Sequence, residues 1–94
     1  MTNIILFTMS TCPYCGDLKT GLDKYNIDYI DYDIEEHPEE YQLFSEITNS
    51  EYLPAFMCIT INENSEPITK LYSPENNFEN IDEAIEIIKK IKTS

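Results

Sequence analysis

Ile4, Ile5, Leu6 and Phe7 stand in a row near the start of the chain, within Asn3 to Thr8. An unbroken apolar run suits a central strand covered on both faces better than an amphipathic edge. Thr11-Cys12-Pro13 then reads as a helix start, because a proline just inside a helix gives up a donor that would be unpaired anyway. Leu18, Leu22 and Tyr25 follow at helical spacing and give this first helix one apolar stripe, with Asn26 as its stop. From Ile27 to Ile34, apolar Ile27, Tyr29, Ile30, Tyr32 and Ile34 interleave with Asp28, Asp31 and Asp33, which predicts a second, less deeply buried strand. Pro38 opens a second helix whose stripe is Tyr41, Phe44 and Ile47 or Thr48, ended by Asn49-Ser50.

Ala55 to Ile61 is rich in β-formers, Asn62-Glu63-Asn64-Ser65 is a turn, and Ile68 to Tyr72 returns as a strand, so this pair predicts a hairpin. Ser73 to Asn80 reads as loop. Asn80 and Glu83 resemble a capping box before a third helix, where Ile81, Ala84, Ile85, Ile88 and Ile91 repeat at helical spacing. Lys89, Lys90 and Lys92 fall in its last turn, where they oppose the macrodipole. The order is β-α-β-α-β-β-α. A helix between the first two strands makes a parallel βαβ unit, and the hairpin adds antiparallel strands to the same sheet. The expectation is an α/β fold: a four-stranded mixed β-sheet flanked by three helices. With 94 residues and no repeat, linker or low-complexity segment, the chain is expected to form one domain over residues 1–94.

Composition narrows the classes. Apolar residues at 41% and charged residues at 26% sit near the ordinary globular mix, so a packed core is expected. The longest apolar runs, Ile4 to Phe7 and Ala55 to Ile59, are far shorter than the roughly 18–20 residues that span a bilayer. No basic residue precedes the first of them, so no secretory leader is expected. Three cysteines, two of them close together, do not form a secreted disulfide framework, and a reducing cytoplasmic home is expected. The net charge of -12, from 18 acidic residues against 6 lysines and no arginine, would repel nucleic-acid phosphate. Such a surface serves solubility or steering toward a basic protein partner.

The candidate chemistry lies in Cys12-Pro13-Tyr14-Cys15, between a buried strand and a helix. A free cysteine ionises near pH 8.5, and a helix amino terminus within a Cys-x-x-Cys motif lowers that value to about 3.5–7.5. Unpaired N–H groups of the first turn would point at Cys12 and favour its thiolate. Cys12 is therefore expected to attack, and Cys15, one turn on and better shielded, to close the disulfide and expel a bound partner. The same spacing furnishes half of a zinc site, but only Cys58 and His37 remain to complete it, each alone in the chain. Cys58 reads as a small buried hydrophobe on a strand, and His37 as a solvated loop residue.

With this motif in place, the sequence resembles the glutaredoxin family, whose dithiol members carry Cys-Pro-Tyr-Cys. The likeness runs over nearly the whole chain, with Pro54 before the third strand, and it implies the thioredoxin fold. It implies glutathione as co-substrate and disulfide-containing proteins as substrates; a monomer is expected, with no bound cofactor needed because electrons travel through sulfur alone. Lys19 falls where glutaredoxins often have a lysine, which would add positive charge to the active-site helix. Leu53-Pro54 matches the family's cis-proline, whose preceding backbone can pair with an incoming peptide. Pro13, Tyr14 and Tyr52 would line that substrate groove.

Three departures bear on the reductant. The usual Thr-Val-Pro is Tyr52-Leu53-Pro54, a basic residue often found before the first cysteine is Met9, and Tyr72 to Asp82 has no glycine where the family has a Gly-Gly pair. Ile81 and Asp82 could still offer a helix amino terminus to a substrate carboxylate. The departures are similar to those of redoxins reduced by thioredoxin reductase that serve ribonucleotide reductase. A third possibility is a non-catalytic, redox-sensing binding module.

Overall fold

A computed structural model describes residues 2–64 and 66–93. Its elements are β1 (Thr2–Thr8), α1 (Pro13–Lys24), β2 (Ile30–Asp33), α2 (Pro38–Thr48), β3 (Ala55–Thr60), β4 (Ile68–Tyr72) and α3 (Ile81–Thr93). The sheet runs β2-β1-β3-β4. β1 pairs parallel with β2, from Ile5 opposite Ile30 to Thr8 opposite Asp33, and antiparallel with β3, from Thr2 opposite Thr60 to Phe7 opposite Ala55. β3 and β4 form the expected antiparallel hairpin. Its turn includes Ser65, which lies outside the described residues.

The unbroken apolar run of β1 follows from this central position. Ile4 and Leu6 join Leu18, Leu22, Phe56, Phe78, Ala84 and Ile88 in a core between the sheet and the α1–α3 pair. Phe7 points the other way, into a smaller cluster with Phe44 of α2 and Ala55. Alternation along one strand thus feeds two layers. α1 and α3 approach closely at Gly21, where an added Cβ would meet the Ile85 side chain. That contact sets α1, and with it the cysteine motif, against the rest of the fold. No described helix is long and apolar enough to cross a membrane.

Several sequence expectations need correction. The second strand covers only Ile30–Asp33, not Ile27 to Ile34. Asn26 is left-handed at φ 56, and the Ile27 N–H donates to the Leu22 carbonyl at 3.0 Å, so Ile27 belongs to the closing turn of α1. Tyr25 extends no buried stripe: it is 46% exposed, with the Lys89 ammonium 4.1 Å from its ring centroid. In α2 the stripe turns through Thr48, whereas Ile47 is 64% exposed. β3 ends at Thr60, one residue short of the expected Ile61. His37 is not simply solvated. Its ring stacks on Tyr32 at 4.2 Å and Nδ1 lies 3.1 Å from a Glu40 carboxylate oxygen.

Candidate active site

β1 delivers the chain at Thr8, and a turn closed by the Cys12 N–H donating to the Met9 carbonyl at 3.1 Å swings it into α1. Cys12 is the N-cap of that helix, in extended conformation at φ -98, with Pro13 in the first turn. The N-cap position ordinarily carries a side-chain oxygen that accepts a first-turn N–H. Here sulfur takes that place: the Cys15 N–H donates to Cys12 Sγ at 3.2 Å. An electron-rich sulfur at this point gains from the bond and from the positive end of the helix dipole. No acidic residue occupies the first turn, in a chain of net charge -12.

The two sulfurs are joined as a disulfide, with the Cα atoms 5.3 Å apart. Cys12 is half-buried and Cys15 is only 1% exposed. One sulfur is therefore reachable by a substrate and the other stands behind it.

Beside the motif lies an open groove of about 380 Å³. Tyr14, Tyr52, Leu53 and Pro54 line one part of it, with the Leu53–Pro54 bond cis as the resemblance implies. Pro74, Glu75, Phe78, Glu79, Asn80 and Ile81 line the rest. A family model described as Glutaredoxin matches residues 4–64, the stretch from β1 into the hairpin turn. The chain belongs to the glutaredoxin family.

Solved structures agree at the level of the fold. A glutaredoxin from Brucella melitensis superposes with a TM-score of 0.59 at 20% identity, covering 99% of this chain and 87% of that one. Chloroplastic thioredoxin z gives 0.57 at 18% identity, over 100% of this chain and 80% of that one. A Plasmodium falciparum thioredoxin gives 0.54 at 21% identity, over 93% and 70% respectively. No curated protein matches the chain. The family, the thioredoxin fold and the Cys12–Cys15 pair together support a thiol-disulfide oxidoreductase.

Not every expected groove residue sits in this glutaredoxin's groove. Tyr14, Tyr52, Leu53, Pro54 and Ile81 converge there, while Pro13 is exposed at the helix start. Asp82 instead lines a separate concavity along α3. Lys19 forms an ion pair with Asp31, whose other carboxylate oxygen accepts the Thr8 hydroxyl hydrogen bond, so its charge is already matched. Sequence pattern alone assigns no role to Pro74, Glu75, Phe78 and Glu79. They reach the groove because Ser73 to Asn80 is folded, not slack. Asn77 Oδ1 accepts the Ser73 N–H at 3.0 Å, Asn76 Nδ2 donates to Ser73 Oγ at 2.8 Å, and the Glu75 N–H donates to the Phe78 carbonyl at 2.8 Å. The asparagine pair ahead of a capped helix was the available signal, since such side chains build local turns.

Cys58 is a free thiol on β3, opposite Ile4 and 3% exposed, in line with a packing role. Burial pushes its ionisation up to about 11, against a smaller opposing pull from Lys92 and Lys70. No group of three or more His, Cys, Asp or Glu among the described residues is placed to hold a metal.

The raised thiol carries a pH prediction. A group whose folded pKa exceeds its unfolded one gives stability that is present below the unfolded value and lost as pH rises toward the folded one. Stability should therefore fall between about pH 9 and 11. Tyr29, Tyr41 and Tyr72 are also shifted upward, each chiefly by burial, and add to the same decline. Comparing urea unfolding of the wild type with Cys58→Ala across this range isolates the thiol: the alkaline loss should be shallower in the variant. Parallel curves would show that the Cys58 proton has no part in it.

Proposed function

We propose that the protein reduces disulfides in protein substrates, or mixed disulfides with glutathione, with Cys12 as the attacking sulfur and Cys15 as the resolving one. The observation that carries this reading is the Cys15 N–H aimed at Cys12 Sγ, with Cys15 itself buried behind. The Cys12 thiolate attacks a substrate sulfur, the substrate disulfide breaks and its distal sulfur leaves as a thiolate that takes up a proton. Cys15 then attacks Cys12 Sγ, breaking the mixed disulfide and releasing the second substrate thiol. Electrons move through sulfur alone, so the reaction needs no bound cofactor. The working unit in this reading is a monomer of one domain, residues 1–94, in a reducing cytoplasm.

Two reductants can restore the dithiol. Glutathione is the family's usual co-substrate. A thioredoxin-reductase-type flavoprotein is favoured by two observations: Lys19 is held by Asp31, and Tyr72 to Asp82 contains no glycine for close backbone approach. Ribonucleotide reductase is then a candidate recipient of the electrons. A coupled assay, with NADPH, a disulfide-containing protein substrate and either glutathione plus glutathione reductase or thioredoxin reductase alone, tests the proposal. NADPH oxidation that requires this protein in one of the two arms supports it and names the donor. Its absence in both contradicts it.

A further inference from the structure

Resting on that reading of Cys12 and Cys15, we infer that the groove beside the disulfide selects cationic peptide segments over anionic ones. Its two charged side chains, Glu75 and Glu79, are both carboxylates and both exposed. Neither takes part in an ion pair or side-chain hydrogen bond among the described residues. No lysine lines the groove, and Lys19 on the motif helix is matched by Asp31.

The groove lining also includes Tyr14 and Tyr52, 64% and 60% exposed. Exposed tyrosine faces attract lysine and arginine heads through the ring quadrupole. The ring faces and the carboxylates therefore favour the same ligand: a peptide with Lys or Arg flanking its cysteine. Pro54, fully buried at the groove floor, leaves the Leu53 backbone to align such a segment. An anionic segment meets repulsion from the same carboxylates and along an acidic surface.

The test is a single-turnover reaction of pre-reduced protein with two disulfide-linked peptides of equal length. One has Lys on both sides of the cysteine, the other Glu, and acid-quenched samples are separated by chromatography. Each turnover moves two electrons and two protons from the Cys12–Cys15 dithiol to the peptide, so no further reductant is needed. Rates are normalised to those of a small uncharged dithiol, which removes the peptides' intrinsic reactivity. At low salt the normalised preference for the Lys peptide is expected to be about tenfold, falling toward one at ~0.5 M salt. In Glu75→Gln/Glu79→Gln it should fall toward one without added salt. A preference unchanged by the double substitution overturns the inference and leaves the exchange chemistry standing. Failure to reduce either peptide overturns the exchange reading, and the inference with it.

Discussion

Cys12→Ser is expected to abolish disulfide reduction, lowering the rate by at least about three orders of magnitude, because a hydroxyl neither ionises near neutrality nor forms the mixed disulfide. The fold should survive. Serine is among the preferred N-cap residues, so its oxygen can accept the Cys15 N–H that the sulfur accepts now. Far-ultraviolet circular dichroism should therefore be unchanged while turnover disappears. Cys15→Ser should behave differently: attack proceeds and resolution does not, so a covalent complex with the substrate protein accumulates. It would appear as a band on a non-reducing gel that a small thiol removes. A module that only senses redox state would keep its partner in the Cys12→Ser protein and show no turnover in the wild type. Full activity in Cys12→Ser would place the reacting sulfur elsewhere.

Phe56→Ala is expected to cause the largest loss of stability, about 3–5 kcal/mol, in a domain whose total is typically about 5–15 kcal/mol. Phe56 is completely buried, stacked on Tyr72 at 4.9 Å and on Phe78 at 5.6 Å. Truncation leaves a cavity that a sheet fixed on both sides cannot collapse to fill. Phe78 also lines the groove, so loosening its stack should weaken substrate handling in whatever fraction stays folded. Urea unfolding gives the midpoint shift. Phe56→Leu should recover most of the loss, and equal midpoints for wild type and Phe56→Ala would show that this stack is not part of the core.

The order of elements was legible because each carries a strong local pattern. The apolar run of β1, the proline starts of α1 and α2, and the isoleucine repeat of α3 all appear where the pattern placed them. Boundaries failed where hydrogen bonding at an element's end overrode composition. Ile27 has the look of a strand residue but belongs to the closing turn of α1.

The site divided in the same way. The pairing of Cys12 and Cys15 at a helix start was readable because it depends on local spacing. Lys19 and Asp82 were not, since where a side chain goes depends on a distant neighbour: Asp31 lies on another strand, and Asp82 turns to the flank of α3. Glu75 and Glu79 were missed because a polar loop gives no periodic signal, and its shape comes from asparagine bonds visible only in three dimensions.

Exchange that begins at Cys12 requires unequal access and activation of the sulfurs, and substoichiometric alkylation tests that directly. Fully reduced native protein at pH 7 would be exposed briefly to iodoacetamide, quenched, and mapped by peptide mass spectrometry. The label should fall on Cys12, with Cys15 and Cys58 reacting at comparable rates only after denaturation. Labelling that reached Cys15 or Cys58 first, or all three cysteines alike, would contradict Cys12 as the sulfur that begins exchange.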